Sequence, residues 1–243
     1  MEDVLLDAIA ADSGVEAGEA VAGIVARLLA DQRAGATRPP TARDVVEGLF
    51  DEPAPAAGRP LLDVLARVER DVVPHATALH HPRHMGHQLS APLPAGIWTE
   101  PLVAALNQSL AVAELSPVAT AVERRVLRWL ADLAGLPASA GGTFTVGATE
   151  ATFTALAAAR ARLWPDAWER GIAGRQAVVL CGEHAHYSVA RATAQLGLGA
   201  AACVRVPADA RFALDPAALR SLLAREERPV LAVVATAGAT AVG

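Results

Sequence analysis

The stretch AVVLCGEHAHYSVARA, residues 177–192, decides the fold. It opens with an apolar run of strand length and continues, after a short polar turn, into a segment with helical spacing over about 187–196. Strands that are apolar on both faces and alternate with helices indicate a parallel sheet covered on both sides. The chain therefore is predicted to have an α/β fold. The other elements that carry this pattern are apolar runs at 202–206 and 230–236 and a helix at 216–225.

The part of the chain before this stretch is predicted to be helical. Apolar residues recur at helical spacing over 16–34 and 61–73, with proline-rich connectors between them. A further helix is predicted over 97–113, and another begins at Ser116 and Pro117, which suit the N-cap and the first helical position. The apolar side chains of that last helix are expected to face the interior: Val118, Val122, Val126, Trp129, Leu130 and Leu133.

Composition excludes several classes of protein. Of the 243 residues, 53% are hydrophobic and 19% are charged, which is typical of a globular protein. The net charge of -5 and the lack of a basic run argue against a nucleic-acid partner. The N-terminus is acidic and unlike a signal peptide, and no apolar run is long enough to span a bilayer. Because Cys181 and Cys203 form no disulfide framework, we predict a cytoplasmic protein.

The basic residues carry a second constraint. All 21 of them are arginine, so the sequence contains no lysine. A reaction that needs a lysine amine therefore cannot be performed by these 243 residues alone.

Ligands of parallel α/β sheets bind at the carboxyl ends of the strands. Three segments of this sequence are therefore candidate binding segments, since each follows a predicted strand or begins a predicted helix. They are residues 147–149, the pair His184 and His186, and residues 236–238. The first has small residues and a hydroxyl at a predicted helix N-terminus, which is typical of an anion cradle. Glu150 would compete with an anion there, and an ordinary N-cap is the alternative interpretation.

Six of the seven histidines occur in two clusters, and three interpretations of them stay open. They could bind a metal, although Pro82 interrupts the first cluster and no cysteine or carboxylate pattern completes a site. They could be turn residues that are exposed or hydrogen-bonded locally. One imidazole could instead stack on a flat aromatic ligand while its neighbour points away. The clustered residues are His80, His81, His84 and His87, and then His184 and His186.

Five ordered blocks of the sequence resemble one family, the group II pyridoxal-phosphate-dependent amino-acid decarboxylases. This family includes glutamate, 2,4-diaminobutyrate and aromatic-L-amino-acid decarboxylases. The resemblance implies a PLP-dependent transferase of fold type I, the aspartate-aminotransferase-like fold. It also implies a helical N-terminal segment over 1–80 and the first part of the PLP-binding large domain over 81–243. The blocks are HPRHMGHQLS, LNQSLAVAELSPVATAVERRVLRWL, GGTFTVGATEATFTALAAAR, EHAHYSVARA and ATAGATAVG.

The resemblance also implies a role for individual residues. His186 matches the catalytic histidine whose imidazole stacks on the cofactor ring and helps to orient the reacting carboxylate, whereas His184 inherits no role. No metal ligand is implied. The other implied contacts are Ala148 and Thr149 with the cofactor phosphate, Thr236 with the cofactor ring, and His81 and Gln88 with the substrate.

The function implied by the resemblance is the decarboxylation of an L-amino acid to an amine and carbon dioxide by the complete protein, a homodimer. Pyridoxal 5′-phosphate withdraws the electrons that remain when the carboxylate leaves. In the family, the pyridinium aspartate and the Schiff-base lysine come after the ATAG block, so this chain is expected to be an inactive fragment on its own. His87 replaces the family's asparagine and leaves the substrate open, whereas residues 107–109 and Ser116–Pro117 are closer to the diaminobutyrate branch.

Two other classes of function stay open from the sequence. One is a metal-binding protein that uses the histidine clusters. The other is a degenerate, non-catalytic partner of a full-length decarboxylase. An aminotransferase or a carbon–carbon lyase of the same cofactor class is also possible, but the block around Gln88 favours a decarboxylase.

Overall fold

A computed structural model describes residues 14–37, 41–54, 56–86 and 89–243 of the chain. The chain divides into two compact units, Met1–Ala105 and Leu106–Gly243. The domain boundary after residue 80 that the family resemblance implies stays a prediction. None of the described helices is both long and apolar enough to cross a membrane.

The described part of the first unit contains four helices: α1 (Val15–Ala34), α2 (Arg43–Gly48), α3 (Leu61–Asp71) and α4 (Pro94–Leu106). Helix α1 and helix α3 pack against each other, and Arg27 of α1 forms an ion pair with Glu69 of α3 at 2.6 Å. Helix α4 ends earlier than the predicted 97–113, because Asn107 adopts a left-handed conformation with φ of 43°. A short helix within the proline-rich connector, α2, was not predicted.

The described part of the second unit contains a three-stranded parallel sheet, which confirms the predicted α/β fold. Its strands are β1 (Val178–Gly182), β2 (Cys203–Val206) and β3 (Val230–Val234), in the order β2-β1-β3. Strand β1 is therefore central, and its first four residues are buried. In the register of β1 and β2, Cys181 lies opposite Arg205.

Alternate residues of β1 build two separate cores, one on each face of the sheet. On one face, Val179 and Cys181 pack with residues of α6 (Ala148–Leu163) and α8 (Ser188–Thr193). On the other face, Val178 and Leu180 pack with Val206 and with residues of α9 (Pro216–Arg225). The continuous apolar run of β1 thus packs against helices on both faces of the sheet, because the side chains of a strand alternate between its faces.

The predicted burial of α5 (Pro117–Leu133) was wrong. Val118 is 69% exposed, Trp129 is 58% exposed and Leu133 is 85% exposed. Ser116 precedes the helix and is buried, as an N-cap residue can be, but its side chain makes no capping hydrogen bond. Helical periodicity showed correctly that one face of α5 is apolar, but it could not show what lies against that face.

An ion pair joins the short helix α7 (Ala167–Arg170) to the approach to β1. Arg175 donates to both carboxylate oxygens of Asp166, each at 2.6 Å. The Arg175 guanidinium holds the pKa of Asp166 at about 2, well below its usual range. A group with a lowered pKa stabilises the fold above its unfolded-state pKa and loses this contribution as the pH falls through the folded-state pKa.

We therefore expect the contribution of this pair to the free energy of unfolding to be constant at neutral pH and to disappear between about pH 4 and pH 2. Urea denaturation at pH 7 and pH 3 measures it in the wild type and in Asp166→Asn. The wild type should lose more stability on acidification than the variant. Because both side chains are partly exposed, 0.5 M salt should reduce the difference. An equal loss in the two proteins would contradict the expectation.

Candidate functional site

The loop that follows β1 is held in shape by backbone hydrogen bonds. Ala185 N–H donates to Gly182 O at 3.0 Å and closes a tight turn. Glu183 N–H donates to Val206 O at 2.9 Å and extends the pairing with β2 beyond the last strand residue. This turn carries His184 and His186 at the carboxyl end of the central strand, where a ligand of a parallel sheet is expected.

His186 is exposed at the start of α8. Its Nδ1 accepts a hydrogen bond from Ser188 N–H at 3.2 Å, so the neutral ring carries its proton on Nε2. The Tyr187 ring lies 4.1 Å from the imidazole centroid, and the Arg191 guanidinium lies 4.7 Å from the Tyr187 centroid. These contacts leave His186 with an Nε2–H donor that can serve a ligand.

His184 and Thr236 line the same cavity, which has a volume of about 180 Å³. The loops after β1, β2 and β3 all contribute to its wall. Phe212, from the loop after β2, contacts the His184 ring edge-on with 5.9 Å between centroids. His186 is not among the residues that line this cavity, so the two histidines have different surroundings.

The predicted anion cradle lies at the N-terminus of α6. Ala148 and Thr149 line an open cavity of about 670 Å³. The first amides of a helix have no intrahelical acceptor, so they are available to an anion. Glu150 lies in the same cavity, but its Oε2 accepts a hydrogen bond from Val146 N–H at 3.0 Å. The carboxylate is therefore engaged with the preceding backbone, and the first amides of α6 stay available to an anion such as a phosphate group.

One core cluster connects the cradle to the histidine loop. Leu156 of α6 is 3% exposed and packs in the same cluster as Ala185, Val189 of α8 and Leu196. Arg160 of α6 also donates to Leu196 O at 3.2 Å. Because a close-packed core transmits displacements, these two segments keep a fixed relation to each other.

Of the two predicted substrate residues, the structure describes His81, which lies in the first unit. His81 is buried, and its Nδ1 accepts a hydrogen bond from Arg83 N–H at 3.1 Å, which stabilises the turn that contains both residues. Gln88 lies outside the described residues, as does His87.

The metal hypothesis finds no support in the described part of the chain. Over residues 14–37, 41–54, 56–86 and 89–243, no group of three or more histidine, cysteine or acidic side chains is arranged to hold a metal ion. His84 Nε2 is buried and has no hydrogen-bond partner.

The two cysteines face each other across strands β1 and β2. Their sulfur atoms are 3.5 Å apart and are not bonded covalently. Burial, and then the neighbouring Cys203, raise the pKa of the Cys181 thiol to about 11. A thiol with so high a pKa is protonated at neutral pH, which excludes Cys181 as a thiolate nucleophile.

Sequence reasoning missed three residues near the site. Gln195 lines the cradle cavity, Phe212 lines the cavity of Thr236, and Arg205 donates to two carbonyl oxygens of the histidine loop. Only Arg205 had a signal in the sequence, because it is a charged residue inside the apolar run CVRV. The other two depend on contacts between segments that are distant in sequence.

Comparison with known proteins identifies a single family. The family model described as the pyridoxal-dependent decarboxylase conserved domain matches residues 43–243. The L-2,4-diaminobutyrate decarboxylase of Rhizobium meliloti (strain 1021) is 40% identical in an alignment of 203 positions that covers 82% of this chain and 40% of that protein. The tyrosine decarboxylase of Oryza sativa subsp. japonica is 32% identical in an alignment of 213 positions that covers 82% of this chain and 40% of that protein.

Solved structures agree with this match. The crystal structure of mouse CSAD superimposes with a TM-score of 0.84 at 28% identity and covers 96% of this chain and 50% of that chain. The chain thus spans about two fifths of the length of the two curated relatives and half of that solved chain.

Proposed function

The chain belongs to the family of pyridoxal-dependent decarboxylases, and from this premise we propose that the whole protein removes the α-carboxyl group of an L-amino acid as carbon dioxide. We propose pyridoxal 5′-phosphate as its cofactor. The observation that carries the proposal is the cradle at the N-terminus of α6, where Ala148 and Thr149 border an open cavity. Its free amides and the threonine hydroxyl have the chemistry that binds a phosphate group.

Four residues are proposed to hold the cofactor. The backbone of Ala148 and the hydroxyl of Thr149 hold its phosphate, His186 stacks on its ring, and Thr236 lies beside the ring. The support is their position: Ala148 and Thr149 are at the N-terminus of α6, His186 follows β1, and Thr236 follows β3. Residues of α6, β1 and β3 pack in one core cluster. When bound, the cofactor supplies an electron sink for the electrons that the departing carboxylate leaves behind.

His186 is proposed as the residue that orients the reacting carboxylate. Because Nδ1 accepts the amide hydrogen of Ser188, the Nε2–H of the neutral ring is free to donate to a carboxylate oxygen. The hydrogen bond with Ser188 also limits rotation of the imidazole, and Tyr187 contacts the ring. His186 is thus held in a position from which its Nε2–H can orient a carboxylate.

L-2,4-diaminobutyrate is the first substrate that we propose to assay. The relative of that name is 40% identical to this chain, whereas the tyrosine decarboxylase is 32% identical. His81 and Gln88 remain the proposed substrate contacts. His81 is buried and its Nδ1 accepts a hydrogen bond within its own turn, so its Nε2 is the ring atom that could contact a substrate.

We also propose that the whole protein is a cytoplasmic homodimer. Large apolar side chains such as Val118, Trp129 and Leu133 are exposed on α5, and exposed apolar patches of this kind mark association surfaces. The unbridged thiols of Cys181 and Cys203 suit a reducing compartment. Analytical ultracentrifugation would determine the assembly state.

The binding site can be tested with pyridoxamine 5′-phosphate. This compound has the phosphate and the ring of the cofactor but an amine in place of the aldehyde, so its binding requires no lysine. We expect it to bind, and we expect His186→Ala to weaken its affinity about threefold to tenfold, the value of one aromatic contact. Isothermal titration calorimetry measures the dissociation constant.

The matched variant for this test is His184→Ala, which removes the neighbouring imidazole. It should weaken binding less than His186→Ala does, because the family resemblance gives His184 no contact with the cofactor. No binding of pyridoxamine 5′-phosphate to the wild type, or a larger loss in His184→Ala than in His186→Ala, would contradict the proposed site.

A further inference from the structure

Arg205 is a charged residue in an otherwise apolar strand, and its side chain reaches the loop after β1. Its Nη1 donates to Ala185 O at 2.9 Å and to Gly182 O at 3.3 Å. These are the carbonyl groups at the two ends of the turn that precedes His186. One guanidinium nitrogen thus joins both ends of that turn.

The register of the sheet explains why Arg205 can reach this turn. Arg205 lies opposite Cys181 in the pairing of β1 and β2. Residues opposite each other in a sheet have side chains on the same face, and Cys181 faces the core that contains α8. The Arg205 side chain therefore leaves β2 on the face where the chain turns from β1 into α8.

We propose that Arg205 is a positioning residue for His186. By holding Gly182 O and Ala185 O, it sets the direction in which the chain leaves β1 and keeps His186 Nδ1 in reach of the Ser188 amide. Ala185 is 9% exposed and Ser188 is 5% exposed, so the segments on both sides of His186 are fixed in the core. The functional meaning of the inference rests on the proposed role of His186 in cofactor and substrate binding.

The alternative explanation is that the charge of Arg205 prevents another chain from pairing with the edge of the sheet. Strand β2 is at the edge of the described sheet, and natural proteins place charged residues on such strands to prevent association. That role requires only a charge and no contact with the loop. Removing the charge would then change solubility but not the state of the His186 ring.

The test reads His186 directly in the ligand-free protein. Long-range ¹H–¹⁵N spectra of the histidine rings report which nitrogen carries the proton, and His186→Gln assigns the signal. In the wild type we expect the Nε2–H form for His186. Arg205→Met should shift the signal towards a mixture of the two tautomers, and Arg205→Lys should restore it in part, because lysine keeps the charge but lacks the planar fork.

Pyridoxamine 5′-phosphate affinity is the second readout of the same variants. We expect Arg205→Met to weaken the affinity about threefold to tenfold, which is the loss expected when His186 no longer contacts the ring of pyridoxamine 5′-phosphate. The matched control is Arg220→Met, which removes an exposed arginine of α9 and should leave both the ring signal and the affinity at wild-type values. If Arg205→Met does not fold, Arg205→Gln, which retains an N–H donor, takes its place.

The outcomes distinguish this inference from the proposed function. An unchanged His186 signal in Arg205→Met overturns the inference, whatever happens to the affinity. A changed signal in Arg205→Met with wild-type affinity in His186→Gln leaves the positioning role intact and overturns the proposed function of His186 instead. A changed signal together with weaker binding, absent from Arg220→Met, supports both.

Discussion

Replacing Leu180 with alanine is expected to lower the free energy of unfolding by about 3 kcal/mol. Leu180 is fully buried in the central strand and packs with Val206 and with Leu219 and Leu222 of α9. The substitution removes apolar contacts and leaves a cavity that parallel strands, hydrogen-bonded on both sides, cannot close. Urea denaturation followed by circular dichroism measures the change.

The matched control is Leu223→Ala, which makes the same chemical change on α9. Leu223 is 41% exposed, so its replacement should cost less than about 1 kcal/mol. Similar losses for the two variants would show that β1 is not the centre of a packed core.

Replacing Thr149 with aspartate is expected to weaken the binding of pyridoxamine 5′-phosphate tenfold to a hundredfold, about 1.4–2.8 kcal/mol. The new carboxylate would lie in the first turn of α6, beside the amides proposed to hold the phosphate. A negative charge near a helix N-terminus stabilises the helix, so the fold itself should not weaken. A loss of affinity would therefore report repulsion at the cradle.

Ala155→Asp is the control for the added charge. Ala155 is exposed on the same helix, two turns from its N-terminus and outside the lining of the cradle cavity. We expect the affinity of Ala155→Asp for pyridoxamine 5′-phosphate to stay within about twofold of wild type, measured by isothermal titration calorimetry. If both aspartates weaken binding equally, the phosphate does not bind at the α6 N-terminus.

The sheet could be predicted from the sequence because its strands are apolar at successive residues. The apolar runs around Val179, Val204 and Ala232 were each predicted within two residues of the observed strand ends. The helix Pro216–Arg225 was predicted at its observed bounds from leucines at helical spacing, and the structure adds that the Asp215 side chain accepts a hydrogen bond from Ala217 N–H.

Features that depend on distant contacts could not be predicted. The contact of Arg205 with Gly182 and Ala185 depends on the register between β1 and β2, which periodicity does not reveal. The exposure of Trp129 depends on what covers α5, and the helical pattern contains no information on that. The resemblance separated His186 from His184, and the different surroundings of the two rings became visible only in the structure.

The central position of β1 also has a consequence for how the protein folds during synthesis. Both strands that pair with β1 come after it in the chain, β2 about twenty residues later and β3 about fifty residues later. As the ribosome releases the chain, residues 178–182 appear before either partner exists, and the guanidinium that holds the following turn arrives only with Arg205. The histidine loop therefore acquires its shape late, and the apolar β1 segment stays unpaired until β2 and β3 have been synthesised, which exposes it to association with other chains.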